Sequence, residues 1–316
     1  MKKGCSFVIW IIISIVIICN IITLVSENLW KKEELKDNDL QKYNYEINVE
    51  YKFNSYKYTI NVNSNSIVDV ICVKYIVDSN IRYHIAKYNG EYAILDKNDN
   101  AVLLKKDIIE SLNINCDDYV GINLVKYNIK SKSIFFLVEF YGYDIIVSYN
   151  LRTKKMEEIM KISESNGPYS YRFYQLVNNK IYALNEDKEL CEYDITTQMI
   201  KKLGIKPMYF DVKNNILVYS LGDSDWKNIC VYNLIDNRLI KSIKTYGYME
   251  CLSIDKSGCF VLTIEKMPGF TSLYENKNLI PLQKNRAVLY EISSGKHKII
   301  KEADKNNLVY SISFVE

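Results

Sequence analysis

Three aromatic clusters carry the side chains best suited to meeting a ligand. Tyr169-Ser-Tyr-Arg-Phe173 precedes one apolar strand, Tyr246-Gly-Tyr-Met249 runs into another, and Met208-Tyr209 holds the matching position between them. Aromatic faces with an arginine among them stack on flat groups such as a sugar ring or a peptide plane. Tyr169, Tyr171, Arg172, Tyr209, Tyr246 and Tyr248 are therefore the candidate ligand-binding residues. The competing expectation is that these rings only fill a rim and the junctions between sheets.

Catalytic signatures are scarce. Asp223-Ser-Asp225 beside Trp226, together with Asp211, are the carboxylates that an acid/base or metal-dependent reaction would draw on. Such an enzyme needs at least two of them converging in an open pocket, whereas a binding face needs only aromatic and polar groups. The chain has two histidines, His84 and His297, in different repeats, which is too few for a His-rich metal site. Gly222-Asp-Ser-Asp-Trp226 lacks the second glycine of a nucleophile elbow, and no glycine-rich phosphate loop occurs. Asp96-Lys-Asn-Asp-Asn100 opens like a calcium loop, but Ala101 stands where glycine is required and Asp107 where glutamate is usual, so a plain hairpin turn is expected. No catalytic residue, metal or cofactor is assigned, and a non-enzymatic role is favoured.

The elements that position these residues follow from a repeat. Tyr174 to Ile181 leads to Leu190-Cys-Glu-Tyr-Asp-Ile-Thr-Thr197, and Tyr209 to Ile216 leads to Ile229-Cys-Val-Tyr-Asn-Leu-Ile-Asp236. Looser copies start at Tyr75, Tyr127 and Ile254. The apolar residue after the first turn of each copy is Ile81, Ile134, Ile181, Ile216 or Cys259, giving spacings of 53, 47, 35 and 43 residues. Units of about 40 residues with about four short strands read as β-propeller blades. Asn, Asp, Ser and Gly at the turns accept left-handed backbone. The segments Lys106 to Asp118 and Met267 to Arg286 read as insertions.

The chain ends complete the pattern. Leu308 to Val315 reads as a strand without a successor, and Tyr43–Tyr51 with Tyr56–Val62 as a hairpin without a predecessor. Pairing them makes one composite blade and removes exposed sheet edges. Six blades are favoured, with five or seven as the alternatives. The fold class is all-β.

The Tyr-[Asp/Asn]-[Ile/Leu] step at Tyr149, Tyr193 and Tyr232, with Glu291 departing from it after Tyr290, runs through residues 43 to 316. In this the chain resembles bacterial membrane-anchored propellers of the TolB-like and WD-repeat-like kind. It has neither the Gly-His and Trp-Asp dipeptides of WD repeats nor the Trp and Gly placement of quinoprotein propellers. The resemblance implies a scaffold or binding domain, with a propeller lactonase or glycan-cleaving enzyme and a subunit of a membrane complex as alternatives.

Phe7 to Val25 holds 19 residues without a charge, long enough to span a bilayer as a helix. Lys2 and Lys3 also suit a signal peptide, but no small-x-small cleavage pattern follows. The expected organisation is a signal anchor over residues 1–26, a polar stalk over 27–42 and the propeller over 43–316, the last on the extracytoplasmic side of the cell membrane. A net charge of +3, with lysines spread among acids, does not call for nucleic acid. The expected partners are the membrane, through one helix, and a protein, peptide or glycan. Hydrophobic content of 48% and four prolines fit a folded domain. The 27 tyrosines are expected mainly between blades, and the scattered cysteines as small core residues rather than disulfides.

Overall fold

The computed structural model describes residues 14, 17, 18, 34, 35, 46–51, 54–61, 82–115, 119–140, 143–163, 174–221, 228–266, 285–302 and 309–314. Of the apolar run from Phe7 to Val25, only Ser14, Ile17 and Ile18 are among them, and these are helical. No helix among the described residues is long and apolar enough to cross a membrane.

The described strands form six antiparallel sheets, four of four strands and two of three. In chain order the sheets are β3 (Tyr83–Tyr88) to β5 (Ala101–Leu103), β6 (Tyr119–Asn128) to β9 (Met156–Ser163), β10 (Tyr174–Val177) to β13 (Met199–Lys202), β14 (Pro207–Lys213) to β17 (Arg238–Lys244), and β18 (Tyr248–Ile254) to β21 (His297–Glu302). The sixth joins both ends of the chain. In it β1 (Glu46–Tyr51) lies between β2 (Asn54–Asn61) and β22 (Val309–Phe314), so the composite blade expected from the sequence is present.

The Tyr-[Asp/Asn]-[Ile/Leu] step has a physical cause. The Asn150 side-chain carbonyl accepts the amides of Arg152 and Thr153, Asp194 accepts those of Thr196 and Thr197, and Asn233 accepts those of Ile235 and Asp236, all at 2.8–3.1 Å. The next apolar residue sends its own amide back to the preceding hairpin: Leu151 to Lys132, Ile195 to Asn179, Leu234 to Asn215 and Ile292 to Cys259. Each motif thus stitches two successive turns together. Glu291 is one carbon too long for this local bond, and its carboxylate takes the Ser294 hydroxyl instead. Four residues after the motif acid or amide the backbone turns left-handed, at Lys154, Gln198, Asn237 and Gly295. Only the last is a glycine. Gln198→Gly, at φ 58°, should therefore raise stability by about 0.5–1 kcal/mol, read as a higher thermal midpoint. An unchanged or lower midpoint would mean that the turn is not strained.

Two compact units divide the chain, residues 75–214 and residues 1–74 with 215–316. In the first, β7 (Ser133–Phe140) is buried on both faces, which is why it reads as an unbroken apolar run. Ile134, Phe136 and Val138 pack with Ile94, Leu103 and Ile108 on one side. Phe135 and Leu137 pack with Tyr174, Ile181 and Cys191 on the other. The Tyr174 hydroxyl reaches the carbonyls of Leu124 and Phe135, so a tyrosine ties one blade to the next as expected. The connection read as an insertion contains a helix, α1 (Lys105–Leu112), with Asp107 accepting the Leu104 amide at 2.8 Å and Ile108 fully buried.

In the second unit, Phe260, Leu262 and Ile264 on β19 (Phe260–Lys266) pack with Ala287 and Leu289 on β20 (Asn285–Glu291), with Ile312 on β22 and with Leu35. The Leu35 and Glu34 amides both donate to the carbonyl of His297 at the edge strand β21, at 2.8 and 2.9 Å. This dipeptide straddles the sheet edge, with Leu35 in the apolar core on one face and Glu34 on the other. Among the described cysteines, Cys191, Cys230, Cys251 and Cys259 are free thiols.

Candidate functional site

The opposite face of β19 and β20 carries a buried polar cluster. Glu265 and Arg286 are direct cross-strand partners, as are Tyr290 and His297. All four side chains are fully buried. An Arg286 guanidinium nitrogen lies 3.1 Å from a Glu265 carboxylate oxygen, and the Tyr290 hydroxyl donates to the other oxygen. Burial pushes the Glu265 carboxyl up, opposed by Arg286 and by the Tyr290 hydrogen bond. Burial also holds the Tyr290 phenol well above its ordinary value, so it stays a donor. His297 lies between the Tyr290 and Tyr246 rings, with centroids 5.5 and 4.9 Å away, and its Nδ1 is 3.4 Å from Glu34. With every member enclosed, this cluster holds the blade together and offers no surface to a substrate.

Of the aromatic residues singled out by sequence, Tyr169, Tyr171 and Arg172 lie outside the described residues. Tyr246 is half-buried, with its hydroxyl 3.4 Å from Glu34. Tyr248 is exposed at the start of β18, paired in register with Lys266, and Tyr209 is half-buried in β14. Asp223 and Asp225 also lie outside the described residues. Asp211 is fully buried, and its carboxylate accepts the Val212 amide at 3.0 Å. The calcium-like stretch is a hairpin turn in which Asp96 accepts the Asn98 and Asn100 amides, and these bonds hold its carboxyl below the usual range.

An open cleft lies in the unit formed by residues 75–214, with a volume of about 380 Å³. One wall is Arg82 with Tyr83, His84 and Ile85 of β3; the other is Val125 and Tyr127 of β6, followed by Ile129. The Tyr83 and Tyr127 rings meet at 5.2 Å, tilted by 57°. The Arg82 guanidinium lies 5.5 Å from the centre of the Tyr127 ring, within cation–π range. Burial, followed by the neighbouring Tyr127, raises the Tyr83 phenol, which keeps it a hydrogen-bond donor. His84 is occupied by Asp99, with Nε2 3.1 Å from the carboxylate. Ile129 is 66% exposed, an apolar side chain standing in water at the rim. Among the described residues the lining contains no carboxylate. The cleft can thus stack, hydrogen-bond and pair with an anion, and among the described residues its lining has no acid/base pair.

Sequence reasoning missed this site. Its residues come from two different repeats, and the only local signal was the Arg82-Tyr83 pair ahead of a strand.

No family model matches the chain, and no curated protein matches it. Among solved structures, TolB from Acinetobacter baumannii is similar at 13% identity over 86% of this chain and 73% of its own, with a TM-score of 0.43. The N-terminal domain of Nup159 is 13% identical over 70% of this chain and 58% of its own, with a TM-score of 0.41. Hydrazine synthase from Kuenenia stuttgartiensis is 13% identical over 58% of this chain and 48% of its own, with a TM-score of 0.39. This chain spans about half the length of that hydrazine synthase chain. The antiparallel sheets of three or four strands that succeed one another along the chain are of the kind that β-propeller blades are made of.

Proposed function

We propose that the protein is a tethered binding or scaffolding module that engages a protein or peptide partner, held at the cell membrane by the apolar segment Phe7 to Val25 with its blades on the extracytoplasmic side. The observation that carries this reading is the open cleft whose described walls are aromatic, cationic and aliphatic. Clefts of this composition bind by burying rings and aliphatic groups around a few fixed polar contacts. The tether rests on the length and apolarity of the N-terminal run. Tyr169, Tyr171, Arg172, Tyr209, Tyr246 and Tyr248 are proposed as a secondary set of contacts, with a glycan as the other ligand they would suit.

The test uses the full chain in cells, cross-linked to its partners, with Ile129→Asp and Tyr127→Ala as the variants. Both should reduce partner recovery by about tenfold or more, the loss of a contact of about 1.4 kcal/mol. The exposed Ile129 position should leave the thermal midpoint nearly unchanged. Recovery equal to wild type in both variants would remove the cleft from function. Protease added outside intact cells should digest the blades, and full protection would overturn the extracytoplasmic placement.

A further inference from the structure

The rim of the cleft carries a cation, Arg82. Arg82 is exposed and touches the Tyr127 ring, yet among the described residues it enters no ion pair. The turn after Ile129 carries Lys130 and Lys132, both exposed and likewise without an ion pair among the described residues. The two nearby acids have partners of their own: Asp99 lies 3.1 Å from His84 Nε2, and Asp96 accepts the Asn98 and Asn100 amides. A guanidinium stacked over a ring still offers its in-plane N–H donors outward, in a fork that matches a carboxylate. Val125 and the exposed Ile129 give the same cleft an apolar side, which favours a ligand that covers it.

From this juxtaposition we infer that the cleft takes an acidic peptide segment of the partner, one carboxylate meeting Arg82 and a neighbouring aliphatic side chain covering Val125 and Ile129. This rests on the reading of the cleft as the partner-binding surface. Lys130 and Lys132 add a longer-range attraction for further acidic residues of the same segment, so association weakens as salt is raised. The Tyr83 phenol supplies a neutral donor on the opposite wall. A neutral glycan would use the rings but leave Arg82 idle.

The probe is a labelled peptide alternating Glu and Leu, set against its Gln and Leu counterpart, with the full chain held in zwitterionic detergent and binding followed by fluorescence polarisation. The Glu peptide should bind about tenfold more tightly than the Gln peptide, the usual worth of a hydrogen bond to a charged group. Arg82→Gln should abolish that difference, and Arg82→Lys should restore part of it. Preference for the Glu peptide that survives Arg82→Gln overturns the inference, as does equal binding of the two peptides by wild type. Equal binding that is still lost in Ile129→Asp would leave the cleft as the partner surface while removing the acidic specificity. Failure of either peptide to bind, with partner recovery unaffected by Ile129→Asp, would remove both. Displacement of the Glu peptide by anionic vesicles but not by unlabelled peptide would assign the rim to a lipid surface instead, against the inference.

Discussion

Arg286→Leu should cost about 3–5 kcal/mol, because it leaves the Glu265 carboxylate buried without its cation. That is a large part of what holds an ordinary domain folded. The loss should also depend on pH. The Glu265 carboxyl is raised in the folded protein, so the native state holds a proton that the unfolded chain has already released. Stability from this group therefore falls as pH rises from the ordinary glutamate value through the raised one. Removing Arg286 takes away the largest opposing influence and extends that interval upward. The variant should accordingly be closest to wild type at mildly acidic pH and most impaired at neutral pH, as read by urea unfolding. A deficit that is flat across that range would mean that Glu265 does not titrate in the folded state. Replacing both partners with leucine should recover most of the loss.

Truncation after Asn307 should be at least as damaging. It deletes β22, which is the partner of β1 over the register from Ile47–Phe314 to Tyr51–Val309. It also removes Ile312 from the core that it shares with Leu35, Phe260 and Leu289. The side chain alone is worth about 2–5 kcal/mol, and each lost ladder hydrogen bond adds about 0.5–1.5 kcal/mol. The remaining β1 edge would be open to other strands. The truncated chain should aggregate on expression or melt far below the intact protein. If it melts like the intact protein, the shared sheet contributes nothing to stability.

Much of the architecture was legible because its punctuation is chemical. Asn150, Asp194 and Asn233 bond their own turns, so the same residue types recur at the ends of three third strands. The doubly buried β7 announced itself as a continuous apolar run. The helix α1 was not legible as such, although Asp107 in its first turn, the Ile108 and Leu112 spacing and Asn113 at its end were helix signals on the page. Its two turns are too short for periodicity to stand out among strands. The cleft was hidden for a different reason. Tyr83 and Tyr127 become neighbours only when two sheets pack, and nothing local in either repeat specifies the face it will show. The buried quartet was equally silent, since a glutamate and an arginine in strands read as solvent-facing until a second layer covers them.

The seating of Glu34 and Leu35 has a mechanical meaning. Eight residues separate Val25 from Glu34, at most about 30 Å of extended chain. A load on the N-terminal segment, whatever its source, is thus delivered first to the His297 carbonyl and to one leucine wedged under β19 and β20, before it reaches β1. The Glu34 carboxylate adds to this attachment, lying 3.4 Å from His297 Nδ1 and 3.4 Å from the Tyr246 hydroxyl. The dipeptide is thus an attachment that a load on the N-terminal segment meets before the sheet shared by the two chain ends.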